Sequence, residues 1–116
     1  MTVAQAIERS ALLYPSDMES GRIYDWLSEL ESRIHIEICG DTCSPVTADE
    51  ADRVLTVPDA YAELYPLYLI MKTDLANGDI DRYNNSVKSF KNAYNAFACY
   101  FNRTKALGGY TDISLL

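Results

Sequence analysis

Apolar side chains recur three and four positions apart through most of the chain, which is the period of an amphipathic α-helix. The clearest stripe predicts a helix over residues 80–103 with a largely aromatic face, made of Ile80, Tyr83, Val87, Phe90, Tyr94, Phe97 and Phe101. An earlier stripe predicts a helix that begins after Ser16 and stops at Gly40. Its apolar face consists of Ile23, Trp26, Leu27, Leu30, Ile34 and Ile38.

Two further helices complete the predicted fold. A short stripe predicts a first helix over residues 3–13, capped by Thr2 and ended by Pro15. A third helix is predicted to begin at Pro58, because proline is tolerated at the first helical position, and to kink near Pro66. The pattern therefore predicts an all-α fold of four helices, in which helices two, three and four form the core and helix one packs across them.

Residues 40–57 interrupt the helical period and are rich in turn-forming residues. A connection this long is uncommon in a compact domain and is often functional. A possible capping box at Thr47 and Glu50 predicts one or two helical turns within residues 48–55. We assign residues 1–107 to a single helical domain and residues 108–116 to a C-terminal tail that is either frayed or docked on a neighbour.

The charge of the chain is divided unevenly along its length. The 116 residues, enough for one domain, carry a net charge of −7. Residues 1–81 contain five basic and sixteen acidic side chains, whereas residues 82–116 contain five basic and one acidic. This balance disfavours a grip on a nucleic-acid backbone and suits contact with another protein or another copy of the chain. Two merely solvated faces would give the same pattern. No apolar run is long enough to span a bilayer, so no membrane partner is expected.

His35, Cys39 and Cys43 form one cluster with candidate catalytic or metal-binding chemistry; the adjacent carboxylates Asp49, Glu50 and Asp52 could do acid–base work but fit a solvated turn better. His35 and Cys39 share one helical face, so two metal ligands are geometrically feasible, with a third beyond the helix end. A structural zinc site needs four ligands, and a Cys–His nucleophile would lack an orienting group and an oxyanion site. We therefore predict no metal, no cofactor and no catalytic residue, and we do not expect an enzyme.

Four stretches of the chain carry a resemblance to a known group of proteins. They are residues 24–34 (YDWLSELESRI), 57–65 (VPDAYAELY), 74–80 (DLANGDI) and 81–86 (DRYNNS), the last followed by Phe90, Ala93, Tyr94 and Phe97. Through them, residues 2–104 resemble head–tail connector proteins, also called adaptor or head-completion proteins, of tailed phages and prophages of Gram-positive bacteria. Pro66 departs from that pattern, in which an apolar residue would continue the helix.

The resemblance implies a structural protein of the virion neck. Proteins of this group form a ring, expected to be dodecameric, below the portal after DNA packaging. The ring extends the DNA channel and docks the next neck or tail-completion protein. The implied partners are thus other copies of the chain, the portal and that neck protein, while DNA passes through without sequence-specific binding. The implied location is the virion neck, reached from the host cytoplasm during assembly.

We expect the protein interface to lie on the irregular segment, on the end of helix four and on the tail. The predicted interface residues are Val54, Leu55, Val57, Arg103, Lys105, Tyr110, Ile113, Leu115 and Leu116. Arg103 and Lys105 would meet an acidic neighbour or the portal. Two other classes stay open: a cytosolic helical regulator or inhibitor that binds one protein partner, and a small metal-binding or thiol enzyme that uses His35, Cys39 and Cys43.

Overall fold

The computed structural model describes residues 1–14 and 19–109, without the side chains of residues 20 and 106–109. Four α-helices make up the fold: α1 (Val3–Leu13), α2 (Ser20–Ile34), α3 (Leu64–Ala76) and α4 (Ile80–Gly109). A π-helix, His35–Cys39, continues α2, and a single turn of 3₁₀-helix, Asp59–Tyr61, precedes α3. The described residues contain no β-strand, so the prediction of an all-α, four-helix domain is confirmed.

The ends of the helices follow the sequence signals where the structure describes them. The Thr2 hydroxyl accepts a hydrogen bond from the Gln5 backbone N–H, and the Gln5 side chain accepts one from the Thr2 N–H, which forms a capping box. Gly40 ends the π-helix with a left-handed φ of 78°, a conformation that favours glycine. Pro15 and Ser16, predicted to separate α1 from α2, lie outside the described residues.

The start of the third helix differs from the prediction. Pro58 precedes the 3₁₀ turn, and α3 begins only at Leu64. Pro66 therefore lies in the first turn of α3, where backbone N–H groups have no partner within the helix, so the proline causes no kink. The predicted helix start at Pro58 was wrong. Pro66 has no N–H to donate to the carbonyl four residues earlier, and its ring clashes with that carbonyl, so a regular helix cannot run from Pro58 through Pro66.

Two other boundaries also differ. Residues 48–55 form no helix; they form two successive hydrogen-bonded turns, closed by the Glu50 N–H on the Thr47 carbonyl and by the Arg53 N–H on the Glu50 carbonyl. α4 continues to Gly109, six residues past the predicted end, so the two glycines at 108 and 109 belong to the helix. The tail predicted at residues 108–116 thus starts inside α4, and residues 110–116 lie outside the described part of the chain.

α3 is the central element, and it packs against α1, α2 and α4. Most of the buried side chains of α3 are apolar, as expected for a helix that is apolar almost all round, and the polar Thr73 and Asp74 are buried with them. The stripes of α1, α2 and α4 close around it, as predicted. The buried apolar core includes Val3, Ala6, Leu27, Leu30, Ile34, Leu64, Tyr65, Tyr68, Leu69, Phe90 and Phe97.

A polar cluster fixes one end of the molecule, where α1 ends, α3 ends and α4 begins. Asp74 is completely buried, and its carboxylate accepts a hydrogen bond of 2.5 Å from the Ser86 hydroxyl. The Arg82 guanidinium lies 3.4 Å from the other Asp74 oxygen and stacks 4.0 Å above the Tyr14 ring.

Among the described residues, no helix combines the length and the apolar character that crossing a lipid bilayer requires.

The packing predicts a large difference between two leucine-to-alanine substitutions. Leu30 is fully buried and Leu12 is 79% exposed. Leu30→Ala should lower the free energy of unfolding by about 2–5 kcal/mol, because it removes buried surface and leaves a cavity. Leu12→Ala should change it by less than about 0.5 kcal/mol. Urea denaturation followed by circular dichroism measures both; equal losses in the two variants would contradict this core.

Candidate functional site

The connecting segment, residues 40–57, joins the π-helix to the 3₁₀ turn and is bound to the helices on both sides. The Ser28 side chain of α2 bonds both the N–H and the carbonyl of Val46, at 2.7 and 2.9 Å. The Val3 N–H at the start of α1 donates to the Arg53 carbonyl at 3.0 Å. Because its own backbone groups are paired with helices in this way, the segment is ordered without forming a helix or sheet.

A buried glutamate holds the end of the connecting segment. Glu31 of α2 is 1% exposed, and one of its oxygens accepts bonds from the Thr56 N–H and hydroxyl at 3.2 and 2.9 Å. Its other oxygen accepts a 2.5 Å bond from the Tyr65 hydroxyl of α3, which in turn accepts the Val57 N–H at 3.1 Å. Four hydrogen bonds thus connect α2, α3 and the connecting segment in the absence of any cation paired with Glu31 among the described residues.

The position of Glu31 in the sequence already indicated a buried polar network, although the apolar residues around it drew attention to the helix alone. Glu31 lies on the same helical face as Leu27, Leu30 and Ile34, where a charged residue is out of place. A charged residue within a buried stripe indicates a paired polar group in the core. Its partners at positions 56 and 65 could not be inferred, since they come from other elements.

Three predicted interface residues of the connecting segment do not lie on the same side of the chain. Val54 is 71% exposed, whereas Leu55 is 3% and Val57 is 1% exposed. The chain is extended here and forms a bridge between Thr2 and Val54, so alternate side chains point to opposite sides. Leu55 and Val57 belong to the core of this chain, so of these three residues only Val54 is exposed to a partner.

The predicted cationic residues lie at the surface. Arg103 and Lys105 are both exposed on the last turns of α4, and neither has an ion-pair partner among the described residues. On the connecting segment, the exposed Asp49 and Asp52 likewise have no cation within ion-pair distance in the part of the chain that the structure describes. The other predicted interface residues, Tyr110, Ile113, Leu115 and Leu116, lie outside the described residues.

A second polar cluster joins the π-helix to the start of the connecting segment. The two ring nitrogens of His35 contact Asp41 Oδ1 at 2.6 Å and Thr56 Oγ1 at 2.7 Å. One donor atom each of His35, Cys39 and Asp41 lies within 4.8 Å of the other two. Cys43, which the spacing had suggested as a further ligand, is not in this group of three; Asp41 is. These are the residues of the described chain that could hold a metal ion.

Burial, reinforced by the negative charges of Asp41 and Glu31, raises the pKa of the Cys39 thiol. The pKa of Cys43 is also raised, mainly by burial. Neither cysteine is therefore the ready thiolate that a nucleophilic enzyme needs at neutral pH. The arrangement does not resemble an activated Cys–His pair, because His35 directs both ring nitrogens to oxygen atoms instead.

Comparisons with known proteins do not place the chain in a family. No family model, curated protein or solved structure matches it.

The glutamate network predicts unequal effects for two tyrosine variants. Tyr65→Phe removes the partner of a buried carboxylate oxygen and of the Val57 N–H, so it should destabilise the protein by about 1–3 kcal/mol. Tyr68→Phe loses only a 3.3 Å contact with the exposed Glu29 and should cost less than about 0.5 kcal/mol. Urea denaturation distinguishes the two; a Tyr65→Phe variant as stable as the parent would show that the network contributes nothing.

Two buried tyrosines also predict how stability depends on alkaline pH. Burial, together with the charges of Glu31 and Glu29 respectively, raises the pKa of Tyr65 and raises that of Tyr68 to about 12. In the unfolded chain tyrosines ionise near pH 10, at about their ordinary pKa. Above about pH 10 the folded state therefore holds tyrosine protons that the unfolded state has lost. The stabilisation that the two protonated tyrosines provide is complete below about pH 10 and falls as the pH rises further. Urea midpoints measured across this range should fall less steeply in Tyr65→Phe; an unchanged slope would contradict the assignment.

Proposed function

We propose that this protein is a structural subunit of a ring, the head–tail connector of a tailed phage or prophage. The observation that carries the proposal is the presence of unpaired, opposite charges on two different elements of one chain. Arg103 and Lys105 of α4 have no acidic partner, and Asp49 and Asp52 of the connecting segment have no basic partner, among the described residues. Such charges are complementary between copies rather than within one copy.

An interface of this kind is heterologous, because two different surfaces of identical subunits meet. Repeating such a contact gives a ring when the rotation between neighbours closes and an open filament when it does not, whereas a self-complementary patch gives only a dimer. Val54 directly follows the acidic turns in the chain and is an exposed apolar residue, which gives the acidic surface an apolar element. The proposed contact therefore places the end of α4 of one subunit on the connecting segment of the next.

The connecting segment is suited to this role because the helices hold it in one conformation. Its attachments to Ser28, Glu31 and Tyr65 fix the backbone on the inner side, while Val54 and the acidic turns face outward. A surface that is already ordered loses little conformational entropy when a neighbour binds. Weak contacts of this type become strong when the ring closes, since the later contacts are effectively intramolecular.

The resemblance of residues 2–104 to connector proteins supplies the biological setting of the proposal. In that setting the ring lies below the portal, extends the DNA channel and docks the next neck or tail-completion protein. The net charge of −7 is compatible with a channel through which DNA passes, because acidic surface adds no phosphate contacts that would release counterions. The reaction is assembly only; no covalent bond is made or broken.

Charge reversal at the end of α4 tests the proposed contact. Exposed ion pairs are worth about 0.2–1 kcal/mol each, so replacing Arg103 and Lys105 by glutamate should weaken every subunit contact at least about 2-fold. In phage made with this variant, we expect less of the chain per portal chain in purified particles, and fewer particles with tails. Lys88→Glu is the matched control, since Lys88 is also exposed and unpaired on α4 among the described residues.

A compensating variant separates a lost contact from a damaged fold. Changing Asp49 and Asp52 to arginine in the same chain should restore incorporation of the Arg103→Glu, Lys105→Glu protein. Equal incorporation of the parent and the charge-reversed protein would overturn the proposed contact. Absence of the parent chain from particles that carry normal tails would overturn the connector proposal itself and favour a cytosolic regulator with a single protein partner.

A further inference from the structure

We propose that His35, Cys39 and Asp41 form a binding site for a divalent transition-metal ion of the zinc type. One nitrogen, one sulfur and one oxygen donor converge here from a single turn of chain, with all three atoms within 4.8 Å of one another. The three ligands share no residue with the proposed subunit contact, so either proposal can fail without the other.

The backbone brings the three donors together through an irregular helix end. His35 and Cys39 are the first and last residues of the π-helix, a local widening that frequently occurs at functional sites. Gly40 then adopts a left-handed conformation, and both its own N–H and the Asp41 N–H bond back to the His35 carbonyl. The chain consequently reverses direction, and the Asp41 carboxylate comes to rest against the imidazole of His35.

The spacing of the donors suits a small cation. Tetrahedral coordination with bonds of about 2.0–2.3 Å places ligand atoms roughly 3.3–3.6 Å apart. The His35 Nδ1 and Asp41 Oδ1 atoms are now 2.6 Å apart, so they must separate by less than about 1 Å to admit an ion. Asp41 is exposed and can make this movement by rotating its side chain.

The hydrogen bonds behind His35 determine which ring nitrogen is the ligand. The Thr56 hydroxyl has one hydrogen and donates it to Glu31, so the His35 Nε2 must itself donate to Thr56 Oγ1. This leaves Nδ1 as the ligand atom, and the proton that joins it to Asp41 Oδ1 in the metal-free contact must leave when an ion binds. A metal-bound histidine typically donates its second N–H to an oxygen acceptor, which orients the ring, and here that acceptor is the Thr56 hydroxyl, itself held by the buried Glu31.

The mixture of donors selects among metals. A thiolate and an imidazole favour Zn²⁺ and its spectroscopic substitute Co²⁺ over Mg²⁺ and Ca²⁺, which prefer oxygen ligands alone. Binding would release the Cys39 thiol proton, because only the thiolate is a metal ligand. Three protein ligands leave the fourth position for water, as in accessible zinc sites. Binding should also stabilise the fold, since the ion would link the π-helix to the connecting segment.

Cobalt titration of the full chain, metal-free and kept reduced, tests the site. Co²⁺ bound to a thiolate gives a sulfur-to-metal charge-transfer band in the near ultraviolet. We expect this band to saturate at one ion per chain in the parent, to reverse when excess Zn²⁺ is added, and to vanish in Cys39→Ser. The matched controls are Cys43→Ser and Cys99→Ser, which should keep it.

A second series tests the role of the residues behind the ligands without removing a ligand. Thr56→Val should weaken Zn²⁺ binding about 10- to 100-fold in competition with a chelating dye, the range usual when the group that orients a metal ligand is lost. Thr47→Val, a change in the same segment where the hydroxyl contacts only Glu50, should leave affinity unchanged. Circular dichroism confirms that each variant is folded.

Two results would overturn the proposal. One is no saturable Co²⁺ band in the folded parent chain, and the other is a band that survives Cys39→Ser, for example one that is lost only in Cys43→Ser. The last result would assign the metal to a different thiol and a different geometry.

Discussion

Glu31 needs each hydrogen bond that it receives, because an unpaired carboxylate in a helical core is strongly destabilising. Its donors come from Thr56 in the connecting segment and from Tyr65 in α3, so three parts of the chain must be in place together. The consequence reaches beyond the core: a segment with no regular secondary structure of its own is held in one conformation. The inner side of that segment carries Leu55 and Val57, and its outer side carries Val54.

The helices could be predicted from the sequence, since an apolar stripe of period 3.6 identifies each one and Thr2 and Gly40 mark two of their ends. The start of α3 was predicted wrongly at Pro58, although Pro66 lacks the N–H that a helix running through it would need and so already favoured a later start. The burial of Leu55 and Val57 could be predicted only from the two-residue alternation of an extended chain. The extended stretch is too short for that alternation to be recognised in the sequence.

Sequence and structure differ most usefully at the polar clusters. The pair His35 and Cys39 was visible as a helical spacing, but the third donor, Asp41, depends on a π-helix and a left-handed Gly40 that no spacing rule anticipates. The distribution of charge, unlike the third metal donor, could be read from the sequence. The basic C-terminal third and acidic remainder were visible in the sequence, and the structure adds that Arg103, Lys105, Asp49 and Asp52 are among the exposed charges without an ion-pair partner in the described residues. That addition turns a compositional bias into a candidate contact between copies.

The central claim, that this chain is a component of a particle rather than a free cytosolic protein, can be measured directly. Quantitative mass spectrometry of purified phage particles from the source culture compares the amount of this chain with that of the portal protein. We expect a fixed ratio of about one copy per portal chain, as ring symmetry requires when the two rings match, and tailless particles when the chain is missing. Particles that lack the chain and nevertheless carry normal tails would contradict it.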